Sequence, residues 1–141
     1  MARLWETDMP RMFRVMKKDG DGKPTVGQAF ANLGVRPRDI DVDAHGNVIP
    51  NAKGMSVAPE WRVMNMFVIP RRLGTGGRGR DNTYCFRRGE GSFQQCACGQ
   101  GLELLPDSPT HGVVRPTQIV PLNQYLADLA ATREEWQIDE T

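Results

Sequence analysis

Three polar side chains of this 141-residue chain sit where their chemistry demands an account: Arg14, Ser56 and His111. Arg14 is a cation inside the apolar run Met12-Phe13-Arg14-Val15-Met16. A guanidinium buried alone is costly, so it must find a partner. A carboxylate of the chain such as Asp41 would serve. So would the phosphate or ribose of a ligand, whose geometry suits the guanidinium fork. Ser56 stands in Gly54-Met55-Ser56-Val57, just after a turn. A hydroxyl there either satisfies a backbone group or hydrogen-bonds a sugar hydroxyl. His111 opens His111-Gly112-Val113-Val114, and a neutral imidazole can accept from or donate to a substrate hydroxyl.

Other constellations fail on their own chemistry. Asp19-Gly20-Asp21-Gly22 begins like a calcium loop, but Lys23 takes the fifth ligand position and Pro24 the place of the required glycine. The glycine-rich stretch 74–79 lacks the Gly-Lys-Ser/Thr of a phosphate-binding loop. Cys85, Cys96 and Cys98 supply three thiols, whereas zinc sites usually take four ligands from paired Cys-x-x-Cys units. They read as free thiols, and no metal is expected. No Gly-x-Ser-x-Gly elbow is present for a serine hydrolase.

The elements that must position the three residues are short. Met12–Met16 reads as a short buried strand and Met55–Val57 as a short strand-like segment. Thr25 to Gln28 matches a capping box, and Val26, Ala29, Phe30 and Leu33 follow at helical spacing, which predicts a helix ending at Gly34. Period-two alternation over Asp39–Asp43 predicts a strand, paired as a hairpin with Val48-Ile49. Trp61 to Ile69 is apolar and fits helix or strand, closed by Pro70. Gly74 to Arg80 reads as a mobile loop. Thr83–Phe86, Gly101–Leu105 and His111–Val114 read as further strands. A last amphipathic helix over 121–136 carries Leu122, Tyr125, Leu126, Leu129 and Trp136 on one face.

Composition fits one α+β domain over 1–141, with 39% hydrophobic and 25% charged residues. The ten prolines and fifteen glycines predict many turns. The formal net charge of +1 gives no overall pull toward a polyanion. Locally, however, Arg71, Arg72, Arg78, Arg80, Arg87 and Arg88 crowd one segment, while Glu134, Glu135, Asp139 and Glu140 gather at the end. Three cysteines and no apolar N-terminal leader segment point to a reducing, cytoplasmic setting. No apolar run approaches the roughly 18 residues of a membrane span.

The ordered series Phe13-Arg14, Gly54-Met55-Ser56-Val57, Thr110-His111-Gly112-Val113-Val114-Arg115-Pro116 and a C-terminal amphipathic helix near Trp136 resembles the small type VI secretion effector toxins with an ADP-ribosyltransferase-like fold. The resemblance covers most of the chain. It implies a split antiparallel β-sheet that clasps NAD in a cleft. Arg14 would hold a phosphate or the nicotinamide-side ribose, Ser56 would orient that ribose, and His111 would contact the cofactor or the reacting sugar. A neutralising immunity protein is the implied partner, with an intracellular target. Breaking an N-glycosidic bond asks for stabilisation of an oxocarbenium-like ribose more than for proton transfers, which is compatible with these side chains. Transferases of this kind usually carry a glutamate on a late strand. None of Glu90, Glu103, Glu134 and Glu135 matches it, so His111 replaces it or the chain binds NAD without transferring it.

Two further readings stand beside this one. The Arg-rich 71–88 segment, interleaved with Tyr84 and Phe86, could grip single-stranded nucleic acid by charge and stacking. Alternatively, the chain is an interaction domain with a degenerate NAD cleft.

Overall fold

The computed structural model describes residues 9–141. Among these residues nine short strands and one α-helix follow in the order β1 (Met12–Met16), β2 (Asn47–Val48), β3 (Met55–Val57), β4 (Tyr84–Arg88), β5 (Cys96–Gly99), β6 (Leu102–Ser108), β7 (His111–Pro116), β8 (Val120–Pro121), α1 (Leu122–Ala130) and β9 (Gln137–Ile138). The architecture is mixed α+β, built mostly from antiparallel sheets. One sheet runs β1-β4-β9, a second runs β3-β7-β6-β5, and a small ribbon pairs β2 with β8.

The two larger sheets meet edge to edge between β1 and β3. Phe13 and Ala58 exchange both backbone hydrogen bonds there, at 2.7 and 3.0 Å. Pairing between the sheets goes no further than this bridge. Next to the bridge the edges diverge, and space opens between them.

β1 is apolar throughout except at Arg14 because both its faces are covered. Met12 and Met16 enter the main core with Phe86, Leu104, Tyr125, Leu129 and Trp136. Phe13 and Val15 enter a second cluster with Trp61, Ile69 and Cys85. The apolar face of α1 matches the sequence reading, with Tyr125 and Leu129 buried. The Tyr125 hydroxyl donates to the Val114 carbonyl at 2.6 Å and accepts from the Met55 N–H at 3.2 Å, tying β7 to the start of β3.

Several expected elements take another form. Residues 25–34 are a compact loop, not a helix. The Leu33 N–H bonds the Thr25 carbonyl at 2.8 Å, and the Asn32 side chain takes the Ala29 N–H at 3.0 Å. A Cβ on Gly34 (φ 155°) would fall 2.0 Å from the Gly27 carbonyl oxygen, so both glycines serve close approach. The helical spacing of Val26 and Phe30 does not bury them, and they stand 45% and 48% exposed. Over 39–49 only Val42 and Val48 form a bridge, and β2 pairs instead with β8. Trp61–Val63 is a single turn of 3-10 helix. The loop 74–80 is open at Gly74 to Gly76 and anchored at two later positions. Gly77 and Gly79 are buried, the Gly79 N–H bonds the Ile69 carbonyl at 2.7 Å, and a Cβ on either would meet main-chain oxygen at 2.4 Å. The last helix stops at Ala130. A 3-10 turn at Arg133–Glu135 and the strand β9 follow, with Trp136 buried and its Nε1 donating to the Thr132 hydroxyl at 3.0 Å. No helix among the described residues is long and apolar enough to cross a membrane.

Candidate functional site

The divergence between β1 and β3 opens a cleft of ≈ 390 Å³. Arg14, Ser56 and His111 all line it, although they lie far apart in the chain. Each arrives by a different local rule. Arg14 is the middle residue of β1. Ser56 is the one exposed residue of β3, between the buried Met55 and Val57, as alternation requires. His111 begins β7, where Ser56 pairs with Val113. His111 and Val113 are two apart on one strand, so they share the face that Ser56 presents.

Arg14 has no carboxylate partner among the described residues. Nε donates to the Asn32 carbonyl at 3.1 Å, Nη1 to the Ser56 carbonyl at 2.9 Å and Nη2 to the Gly34 carbonyl at 3.4 Å. Asp41, the candidate partner in the sequence, is taken by Lys53 at 2.9 Å and Asn51 at 2.8 Å. The 25–34 loop supplies two of these three carbonyls, from Asn32 and Gly34. Burial pushes the Arg14 pKa down to about 10, against a smaller opposing pull from Asp39. The side chain remains a cation at neutral pH, stabilised by carbonyl dipoles without a direct ion-pair partner among the described residues.

The rest of the lining is apolar or internally neutralised. Asp39 is the one carboxylate in the wall, and Arg36 holds it at 2.9 Å through Nε and 3.2 Å through Nη2. Burial opposes ionisation of Asp39, but the Arg36 bonds outweigh it and its pKa is lowered. The Arg36 guanidinium also lies 5.5 Å from the centre of the Phe30 ring. Val57, Val63, Met64 and Val68 complete an apolar side. The cleft is therefore apolar with a net positive point at Arg14, a composition typical of small-molecule sites.

No glutamate lines the cleft among the described residues. Glu103 is held by Arg115 at 2.8 Å, Glu135 by Arg88 at 3.3 Å, and Glu134 by Arg133 at 3.0 Å, while Glu90 is exposed. His111 instead has Asp107 beside it, with both carboxylate oxygens 2.8 and 2.9 Å from Nδ1. Sequence reading missed Asp107, Arg36, Asp39 and Phe30. For Asp107 a signal existed in its four-residue spacing from His111 across the Pro109-Thr110 turn.

Half of the Arg-rich segment is engaged in ion pairs within the fold. Arg72 pairs with Glu140 at 2.6 Å, Arg87 with Asp139 at 2.8 Å, and Arg88 with Glu135. Arg71, Arg78 and Arg80 remain exposed. The acidic end of the chain is thus the counterpart of the basic middle. The thiols are free, and burial pushes Cys85 and Cys98 up to about 12, which makes them poor nucleophiles. No group of three or more metal-ligating side chains occurs among the described residues.

Comparison with protein-family models, curated proteins and solved structures finds no match.

Proposed function

We propose that this chain is an ADP-ribosyltransferase-like toxin domain that takes NAD in the cleft between its two sheets and acts on a target in the cytoplasm. The observation that carries the reading is the meeting of Arg14, Ser56 and His111 on one cleft. The division of the β-structure between β1 and β3 suits the split sheet that the sequence resemblance implies.

The residues present suit the cofactor. A guanidinium carries five N–H donors, and three of those of Arg14 go to carbonyls. The remainder, with an unneutralised positive charge, suits a phosphate. The Ser56 hydroxyl has no hydrogen-bond partner among the described residues and is exposed to the cleft, so it is available to orient a ribose hydroxyl. Val57, Val63 and Met64 give that end of the cleft an apolar wall. His111 takes the place of the usual glutamate as the group facing a sugar hydroxyl. NAD, when bound, would supply a glycosidic bond to a good leaving group, the cationic nicotinamide ring, so the protein's task is mainly to hold and to stabilise charge.

The experiment has two arms. NAD should raise the melting temperature of the parent, because a ligand selective for the folded state stabilises it. Expression in a bacterium should arrest growth, and Arg14→Ala and Ser56→Ala should relieve the arrest. Variants as toxic as the parent would place the activity elsewhere. A melting temperature indifferent to NAD would favour the interaction-domain reading.

A further inference from the structure

We propose that Asp107 is a positioning residue that sets the tautomer of His111, an assignment resting on the reading of the cleft as an NAD site. Asp107 lies at an irregularity of the β6–β7 pairing. Pro106 faces Gly112 and Ser108 faces His111, so Asp107 has no residue opposite it. Such a bulge re-aims a side chain. The turn that follows is held by the Thr110 N–H bonding the Ser108 hydroxyl at 3.2 Å. The outcome is that both Asp107 oxygens lie within 2.9 Å of His111 Nδ1.

His111 lines the cleft and Asp107 does not. The carboxylate occupies Nδ1 and leaves Nε2 without a hydrogen-bond partner among the described residues. An ionised carboxylate only accepts hydrogen bonds, so Nδ1 carries the proton and donates. In the neutral ring Nε2 is then an acceptor. A sugar hydroxyl in the cleft donates to it, which is the interaction a catalytic glutamate would otherwise make. A histidine side chain free in water prefers the opposite tautomer and would present an N–H. The side chains of the pair are 43% and 45% exposed, and exposed pairs contribute little to stability. The contact is thus better explained by what it does to the ring than by what it adds to the fold.

The test reads the ring directly. Long-range 1H–15N spectra of the full chain at mildly alkaline pH report both imidazole nitrogens of His111, with His45 as internal reference. The parent should show the proton on Nδ1. Asp107→Ala should move it to Nε2, and Asp107→Glu should restore the parent pattern. In parallel, the kcat for NAD consumption should fall about tenfold or more in Asp107→Ala with KM nearly unchanged, and recover in Asp107→Glu. The same tautomer in parent and Asp107→Ala overturns the proposal, as does an unchanged kcat in a parent that consumes NAD. If the parent leaves NAD untouched while the tautomer still switches, the cofactor reading fails and the control of His111 by Asp107 stands.

Discussion

The Arg14 guanidinium donates to the main-chain carbonyl of Ser56 at 2.9 Å, so the cation of the cleft is fastened to the strand that presents its hydroxyl. β1 and β3 belong to different sheets and share only the Phe13–Ala58 bridge as backbone pairing. The side chain of Arg14 adds a second link across the division, and its bonds to Asn32 and Gly34 draw in the 25–34 loop. One residue is both wall and clamp.

Arg14→Lys keeps the charge and loses the fork. An ammonium offers its donors from a single atom and cannot span three carbonyls on two segments. Hydrogen bonds to charged groups are each worth about 1.5–3 kcal/mol, so a loss of about 2–4 kcal/mol is expected. Urea unfolding of parent and variant, compared at equal slope, measures it. An unchanged midpoint would mean that the carbonyl seat contributes nothing.

Ser56→Ala separates folding from function in the opposite sense. The side chain is exposed and its hydroxyl bonds nothing else described, so stability should stay within about 0.5 kcal/mol of the parent. NAD consumption should nevertheless drop, by about tenfold or more if the hydroxyl orients the ribose. A variant matching the parent in both measurements would remove Ser56 from the site.

What the sequence disclosed and what it hid follow from the kind of interaction. The strands at Met12–Met16 and Met55–Val57 and the start and face of the last helix were legible because burial imposes a period on side chains. Arg14 was legible as a cation inside an apolar run, Ser56 as the polar residue between two apolar ones, and His111 as the opening of a strand. The partner of Arg14 was not, because main-chain carbonyls exist at every residue and leave no mark on the sequence. Residues 25–34 mimicked a helix, since apolar spacing cannot reveal that Gly27 and Gly34 must touch. The pairing of Arg72, Arg87 and Arg88 with Glu140, Asp139 and Glu135 joins two visible charge clusters through a strand, β9, too short to announce itself.

Gly34→Ala tests the loop that seats Arg14. The new Cβ would collide with the Gly27 carbonyl oxygen, and the φ of 155° is one that side chains rarely adopt. A fixed main-chain atom cannot step aside, so destabilisation of about 2–4 kcal/mol is expected, in the range of steric and strain effects. The loss should extend to the cleft, with a smaller thermal shift on NAD addition than in the parent. An alanine tolerated at both levels would show that 25–34 can move without disturbing Arg14.

Acid should loosen the seam between β4 and the end of the chain. The Thr141 hydroxyl, bonding at 2.6 Å, and Arg87, at 2.8 Å, hold the Asp139 carboxyl below the usual carboxylate range against the cost of burial. Its folded-state pKa is thus lower than its unfolded one, and the unfolded chain binds more protons on the acid side. The stabilisation is complete above the unfolded value of about 3.9 and is lost as pH falls through the folded one. Asp139→Asn should therefore cost about 1 kcal/mol at neutral pH. The gap between variant and parent should close as pH drops below about 4. Denaturation midpoints measured at neutral pH and at successively lower pH check this, and a gap that stays constant would show that Asp139 is not what the acid titrates at this seam.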